Sequence, residues 1–142
     1  QLSGSGLDVR REDRILERLW GKLAVNAGIN PFTAILDCPN GDILESPLFM
    51  DHIDALCAEL ARLITAEGLP EHSTTALRDN IERVARNTAA NTSSMRGDVR
   101  QDRVTEIDFI NGYVAERSRA LGFEAPVNQM LTDRVKDLAP HR

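Results

Sequence analysis

The sequence lacks the features that mark several common classes of protein. No apolar run approaches the roughly 20 residues that a membrane-spanning helix needs. The basic residues are scattered and the formal net charge is −5, which argues against a nucleic-acid partner because phosphate binding needs a concentrated basic surface. Cys38 and Cys57 are the only cysteines and form no Cys-x-x-Cys pair, so a disulfide framework is not expected. No basic-then-apolar signal segment opens the chain, and we expect a reduced, cytoplasmic, soluble domain with no membrane partner.

Two kinds of cofactor site are also missing. Gly4-Ser5-Gly6 is the only Gly-x-Gly, and Val9 stands where a dinucleotide-binding fingerprint needs its third glycine. No strand-like segment precedes it. The three histidines lie far apart and match none of the spacings of a zinc site, so no metal is expected.

What the sequence does contain is helical periodicity. Apolar residues recur at helical spacing in segments at about 10–30, 46–67, 74–91 and 106–121, and in a last helix from Pro126. Pro31 predicts a kink or a short second helix through Leu36, and residues 37–42 a turn. Since no segment alternates with period two, we predict an all-α, multi-helix bundle.

The ends of the chain suggest part of a larger protein. Residues 1–9 are rich in small residues and predict a linker or a cloning remnant, followed by one helical domain over 10–142. Because the first residue is Gln1 rather than Met, we expect a piece of a longer or processed chain.

The first helix carries the most informative polar pattern. From Leu19 to Ile29 nearly every residue is apolar or glycine, which predicts a helix buried on all sides. Lys22, Asn26 and Asn30 interrupt this segment at four-residue intervals and therefore share one face. Because an unpartnered buried amide costs about 1–3 kcal/mol, that face should meet a polar cleft or a ligand. A narrow solvent-facing edge is an equally open interpretation.

Three further polar residues are candidates, each with a structural alternative. Asn40 could reach the same cleft, although an Asn-Gly pair is more often only a turn. Ser94 follows a helix break, where serine is usually a cap. Glu106 stands at a helix start, where a carboxylate is favourable whatever its function.

Three segments in the same order carry a family resemblance. WGKLAVNAGINPFTAILDCPNGDIL (20–44), NTSSMRGDV (91–99) and TEIDFINGYV (105–114) resemble the C-terminal domain of ketopantoate reductase (2-dehydropantoate 2-reductase). With the helices between them, the resemblance covers about residues 10–138. It implies a fold like the helical C-terminal domains of ketopantoate reductase and 6-phosphogluconate dehydrogenase-like enzymes.

The resemblance also implies an activity and residue roles. Enzymes of the family have an N-terminal Rossmann domain that binds NADPH and a helical domain that closes over the ketoacid, and they convert 2-dehydropantoate to pantoate in pantothenate biosynthesis. Lys22 matches the proton donor. Substrate hydrogen bonds are implied for Asn26, Asn30, Asn40 and Ser94. Glu106 matches the acid near the nicotinamide ribose.

The Rossmann half is absent from this chain, so the fragment alone is expected to be inactive. Its expected partners are a small 2-ketoacid and the Rossmann domain of the same enzyme, and the resemblance also allows a homodimer. One alternative is a relative that reduces another 2-ketoacid. A second alternative is a non-catalytic helical assembly or regulatory module.

Overall fold

The protein is helical throughout the part of the chain that its structure, a computed structural model, describes. That part comprises residues 2–138, with side chains from Ile15 onwards; Gln1 and residues 139–142, including His141, lie outside it. The α-helices are α1 (Leu2–Leu36), α2 (Pro47–Ala66), α3 (Thr74–Asn87), α4 (Ser94–Arg100), α5 (Asn111–Ala120) and α6 (Pro126–Asp137), and the two 3-10 helices are Asn40–Glu45 and Ile107–Phe109. Residues 2–138 contain no strand, which confirms the all-α prediction. None of the helices found in this range is both long and apolar enough to cross a bilayer.

Several helix ends fall where the sequence signals place them. Gly68 and Gly122 follow α2 and α5 with φ values of 83° and 94°, a left-handed conformation that glycine adopts without steric cost. Pro126 occupies the first turn of α6, where its missing N–H is not needed.

Other boundaries differ from the sequence prediction. α1 is one helix that contains Pro31 and begins at Leu2, so the residues expected to form a linker are helical; extending an established helix costs far less than nucleating one. α3 ends at Asn87 because Thr88 caps it, with its hydroxyl donating to the carbonyl of Val84 at 2.7 Å. The predicted helix over 106–121 is divided at Ile110, whose φ of −115° and ψ of −93° are not helical.

The core forms around the C-terminal part of α1. Phe32 is fully buried and its ring packs edge-on against Phe49 of α2 at 5.2 Å between centroids. Gly28 lets α3 approach closely, since a Cβ at that position would lie 2.5 Å from the Cδ1 of Ile81. Leu19 is 57% exposed. The prediction of burial on all sides from Leu19 onwards is therefore wrong, because none of residues 19–23 is buried and burial in this segment begins at Ala24.

Candidate functional site

The polar stripe of α1 lies at the surface of the domain. Lys22 is exposed, and Asn26 and Asn30 are half-buried. Their side chains make no hydrogen bond or ion pair with any residue in the described part of the chain. The three groups are therefore free to bind a ligand over this face of α1.

Ser94 stands at the first position of α4, and its neighbour performs the capping. The Ser93 hydroxyl accepts a hydrogen bond from the backbone N–H of Arg96 at 3.0 Å and so caps the helix. Ser94 itself is exposed. The cap interpretation of Ser94 is therefore wrong, and its hydroxyl is not used to begin the helix.

α4 is held against α1 by two contacts near Ser94. The Ser93 and Thr33 hydroxyls lie 2.7 Å apart, and both residues are buried. At the surface, the Arg96 guanidinium donates to a carboxylate oxygen of Asp37 at 3.0 Å. These contacts hold the first turn of α4, to which Ser94 belongs, against the C-terminal part of α1.

Asn40 is bound into a local network. Its backbone N–H donates to the carbonyl of Asn91 at 3.0 Å, and its Nδ2 donates to the Thr88 hydroxyl at 3.0 Å. Gly41 is required beside it, because a Cβ there would lie 2.5 Å from the Cβ of Ala89. The pair does more than form a turn: it attaches the segment after α1 to the segment after α3. Among the described residues the buried Oδ1 of Asn40 has no hydrogen-bond partner.

Glu106 precedes the 3-10 helix Ile107–Phe109 and is exposed. It is the N-cap residue of this helix, as the helix-start interpretation expects, although its side chain makes no capping hydrogen bond. Within residues 2–138 no ion pair joins Glu106 to Lys22. Neither charge has an ion-pair partner among the residues that the structure describes.

A buried asparagine that the sequence reasoning missed ties the Glu106 segment to α1. Pro31 has no N–H, so the carbonyl of Ala27, four residues earlier, loses its helical partner. Asn111, fully buried at the start of α5, fills that gap, with its Nδ2 donating to the Ala27 carbonyl at 3.1 Å. A proline inside a predicted helix indicates that the carbonyl four residues earlier needs a hydrogen-bond donor from elsewhere in the fold.

Two further buried polar side chains, Asn128 and Glu59, extend this hydrogen-bond network. Nδ2 of Asn111 also donates to Oδ1 of Asn128 at 2.9 Å. The Glu59 carboxylate accepts from the backbone N–H groups of Val127 and Asn128 at 2.9 and 3.0 Å and from Nδ2 of Asn128 at 2.7 Å. Glu59 therefore caps α6, whose N-cap residue Ala125 has no side-chain acceptor. The turn of α1 between Asn26 and Asn30 is thereby connected to three other helices.

The cysteines are poor nucleophiles. Burial raises the pKa of the Cys57 thiol to about 12, with the nearby Asp54 carboxylate adding to the effect. Burial, followed by the negative charge of Asp42, raises the pKa of Cys38. Since the thiolate is the reactive form, neither residue is suited to covalent catalysis at neutral pH.

The predicted site residues of α1 and α4 offer three chemistries. Lys22 provides a cation and proton, Asn26 and Asn30 provide amides that both donate and accept, and Ser94 provides a hydroxyl. Such a set suits a small anionic molecule with carbonyl and hydroxyl oxygens. In the described part of the chain no group of three or more His, Cys, Asp or Glu side chains is placed to hold a metal ion.

Comparison with known sequences gives consistent matches. The family described as "Ketopantoate reductase PanE/ApbA C terminal" matches residues 14–139. The chain is 46% identical over 131 residues to a 2-dehydropantoate 2-reductase of Shigella flexneri, covering 91% of this chain and 41% of that protein. It therefore spans less than half the length of this relative.

Solved structures share the fold. A PanE/ApbA family ketopantoate reductase from Ralstonia eutropha JMP134 superposes with a TM-score of 0.79 at 27% identity, covering 87% of this chain and 41% of that one. D-mandelate dehydrogenase, solved with NADH and anilino(oxo)acetate, superposes with a TM-score of 0.83 over 91% of this chain and 71% of that one. At 23% identity the second similarity concerns the fold alone.

Proposed function

Because this chain belongs to the ketopantoate reductase family and matches the C-terminal part of its enzymes, we propose that it is the ketoacid-binding half of a two-domain reductase. The proposed reaction is the NADPH-dependent reduction of 2-dehydropantoate to pantoate. The observation that carries the proposal is the outer face of α1, where Lys22, Asn26 and Asn30 have no partner among the described residues.

The reaction adds a hydride to the keto carbon and a proton to the keto oxygen. The nicotinamide cofactor supplies the hydride when it is bound. The Lys22 ammonium stabilises the negative charge that develops on the oxygen and donates the proton to it. Because no described carboxylate forms an ion pair with Lys22, its positive charge is available to interact with the substrate.

The amides and the hydroxyl hold the rest of the ketoacid. Asn26 and Asn30 follow Lys22 along α1 at steps of about 6 Å, so the three side chains lie along one face of the helix. Each amide can donate to a carbonyl and accept from a hydroxyl. Ser94 donates to the carboxylate from α4. Asn40 is assigned to substrate binding on the family resemblance; its Nδ2 is bound to Thr88, and its buried Oδ1 is the atom left without a partner among the described residues.

Nucleotide binding is assigned mainly to a Rossmann domain that precedes this chain in the enzyme. On the family resemblance, the exposed Glu106 carboxylate is assigned as an acceptor for a ribose hydroxyl of the nicotinamide nucleotide. The printed sequence has no glycine-rich phosphate loop after a strand. The partners proposed are therefore a small ketoacid and the nucleotide-binding domain. Homodimer formation stays a prediction that sedimentation analysis can test.

The proposal is tested on the protein expressed from its full reading frame, with NADPH oxidation as the measurement. We expect a higher kcat/KM for 2-dehydropantoate than for 2-ketoacids without its hydroxyl tail, and a raised KM in Asn26→Ala and Asn30→Ala. Preference for another 2-ketoacid would replace the substrate assignment. No oxidation with any 2-ketoacid would favour a non-catalytic helical module and overturn the proposal.

A further inference from the structure

Three helices begin with a serine cap, and one of these serines differs from the others. Ser46, Ser73 and Ser93 each accept from a backbone N–H of their own helix, at 3.2, 3.0 and 3.0 Å. Ser73 is exposed and Ser46 half-buried, whereas Ser93 is only 8% exposed. In the described structure the hydroxyl of Ser93 alone among the three also reaches another helix, at the Thr33 hydroxyl of α1.

The direction of this hydrogen-bond chain follows from counting protons. A hydroxyl has one proton to donate. The Thr33 hydroxyl donates to the carbonyl of Asn30 at 2.8 Å, so Ser93 must donate to Thr33. An ordered chain therefore runs from the Arg96 N–H through Ser93 and Thr33 to the backbone of Asn30.

The two ends of this chain are the two parts of the candidate site. One end is the first turn of α4, where Ser94 is exposed, and the other is the α1 turn that carries Asn30. The nearby Arg96–Asp37 ion pair joins an Arg96 side chain that is 12% exposed to an Asp37 side chain that is 64% exposed. Because the Asp37 carboxylate faces solvent, salt screens this ion pair, whereas Thr33 and Ser93 are both buried and their hydrogen bond is not screened.

We propose that Thr33 and Ser93 are positioning residues, which hold Ser94 at a fixed place relative to Asn30 and so determine how tightly the ketoacid is bound. This inference rests on the proposed function. Neither residue touches the substrate, because both are buried beneath the polar surface. Lys22 lies eight residues before Asn30 on α1, about 12 Å along the helix, so the proton transfer is remote from this connection. Loss of the chain should therefore weaken substrate binding more than it slows the chemical step.

The test compares substitutions in the protein expressed from its full reading frame. Thr33→Val keeps the shape of the side chain and leaves the Ser93 proton without an acceptor, whereas Thr33→Ser keeps the hydroxyl. We expect Thr33→Val to raise KM for 2-dehydropantoate on the order of tenfold, with kcat changed less than about threefold. The Kd of pantoate for the nucleotide-free enzyme, measured by calorimetry, should rise in parallel. Thr33→Ser should restore both values to near those of the wild type.

Ser73→Ala provides the matched control. It removes a serine cap of the same kind from α3 but no contact with another helix, so it should lower Tm without changing KM. Thr33→Val with wild-type KM and Kd, in an enzyme that is otherwise active, would overturn the positioning role alone. A KM effect of the same size in Ser73→Ala would also overturn it, because the effect would then follow stability. A wild-type enzyme that reduces no 2-ketoacid would overturn both this inference and the proposed function.

Discussion

Two sets of polar side chains in this domain behave in opposite ways. The inner set is buried and hydrogen-bonded, and comprises Thr33, Glu59, Ser93, Asn111 and Asn128. The outer set has side chains without a partner among the described residues, and comprises Lys22, Asn26, Asn30, Ser94 and Glu106.

Within the inner set, each connection begins at a backbone group that the helices leave unpaired. Asn111 donates to the Ala27 carbonyl, to which Pro31 cannot donate. Glu59 caps α6, and Ser93 caps α4. Polar side chains alone therefore do not mark a ligand site in this small helical domain. Apart from Asn40, whose Nδ2 is bound to Thr88, the candidate site residues have polar side chains that the described fold does not use.

The largest expected effect is the loss of the Lys22 charge. In the enzyme expressed from its full reading frame, Lys22→Met should lower kcat on the order of 10²–10³-fold, because one preorganised charge at the developing oxyanion is removed. Tm should change little, since the side chain is exposed and unpaired in the described domain. Lys136→Met is the control: it removes the other lysine, which pairs with Asp108 at the surface, and should leave kcat unchanged.

Lys22→Arg refines this prediction. Arginine keeps the charge but cannot readily donate its proton. We expect kcat of Lys22→Arg to stay low. Nearly full kcat in Lys22→Arg would make Lys22 an electrostatic anchor, and nearly full kcat in Lys22→Met would remove it from catalysis.

The next effect compares two asparagines, one from each set. Asn111→Ala leaves the buried Ala27 carbonyl and the Asn128 Oδ1 without their donor, and each such group costs about 1–3 kcal/mol. We expect a loss of about 2–4 kcal/mol in the free energy of unfolding, measured by urea denaturation. Asn26→Ala removes no recorded hydrogen bond within the described residues and should change stability by less than about 0.5 kcal/mol. Equal losses in the two variants would erase the distinction between the sets.

Smaller effects on stability are expected at two glycines of α1, where substitution by alanine should destabilise the domain at one position and stabilise it at the other. Gly28→Ala places a methyl group against the fully buried Ile81 and should destabilise the domain by about 1–2 kcal/mol. Gly21→Ala meets no atom within 4 Å and should stabilise it by about 0.5–1 kcal/mol, because alanine favours the helix. Thermal unfolding followed by circular dichroism measures both changes. Stabilisation by Gly28→Ala would mean that α1 and α3 are packed less closely than the structure has them.

The smallest expected signal is NADPH binding by this chain alone. The sequence has no phosphate-binding glycine turn, and Glu106 by itself offers one acceptor for the nucleotide. Isothermal titration calorimetry should detect negligible binding. A micromolar Kd would contradict the assignment of NADPH to a separate domain.

The sequence predicted the helices well where the signals are local. α2 and α6 begin and end close to their expected positions, because a serine cap, an early proline and apolar periodicity act within one or two turns. It failed at Ile110, where the helix is interrupted, and at residues 19–23 of α1, where burial was predicted. Neither the break at Ile110 nor the exposure of Leu19 has a marker in the neighbouring residues.

By itself, the sequence determined the helical class, the polar stripe of α1 and the family to which the chain belongs. Only the tertiary structure decided which polar groups the fold uses, as the two adjacent serines illustrate: Ser93 is buried and bonded, whereas Ser94 is exposed. The physical reason is distance along the chain. Helical periodicity is set by neighbours three and four residues apart, whereas Thr33 bonds Ser93 across 60 residues and Asn111 bonds Ala27 across 84. Such pairs exist only after the helices pack.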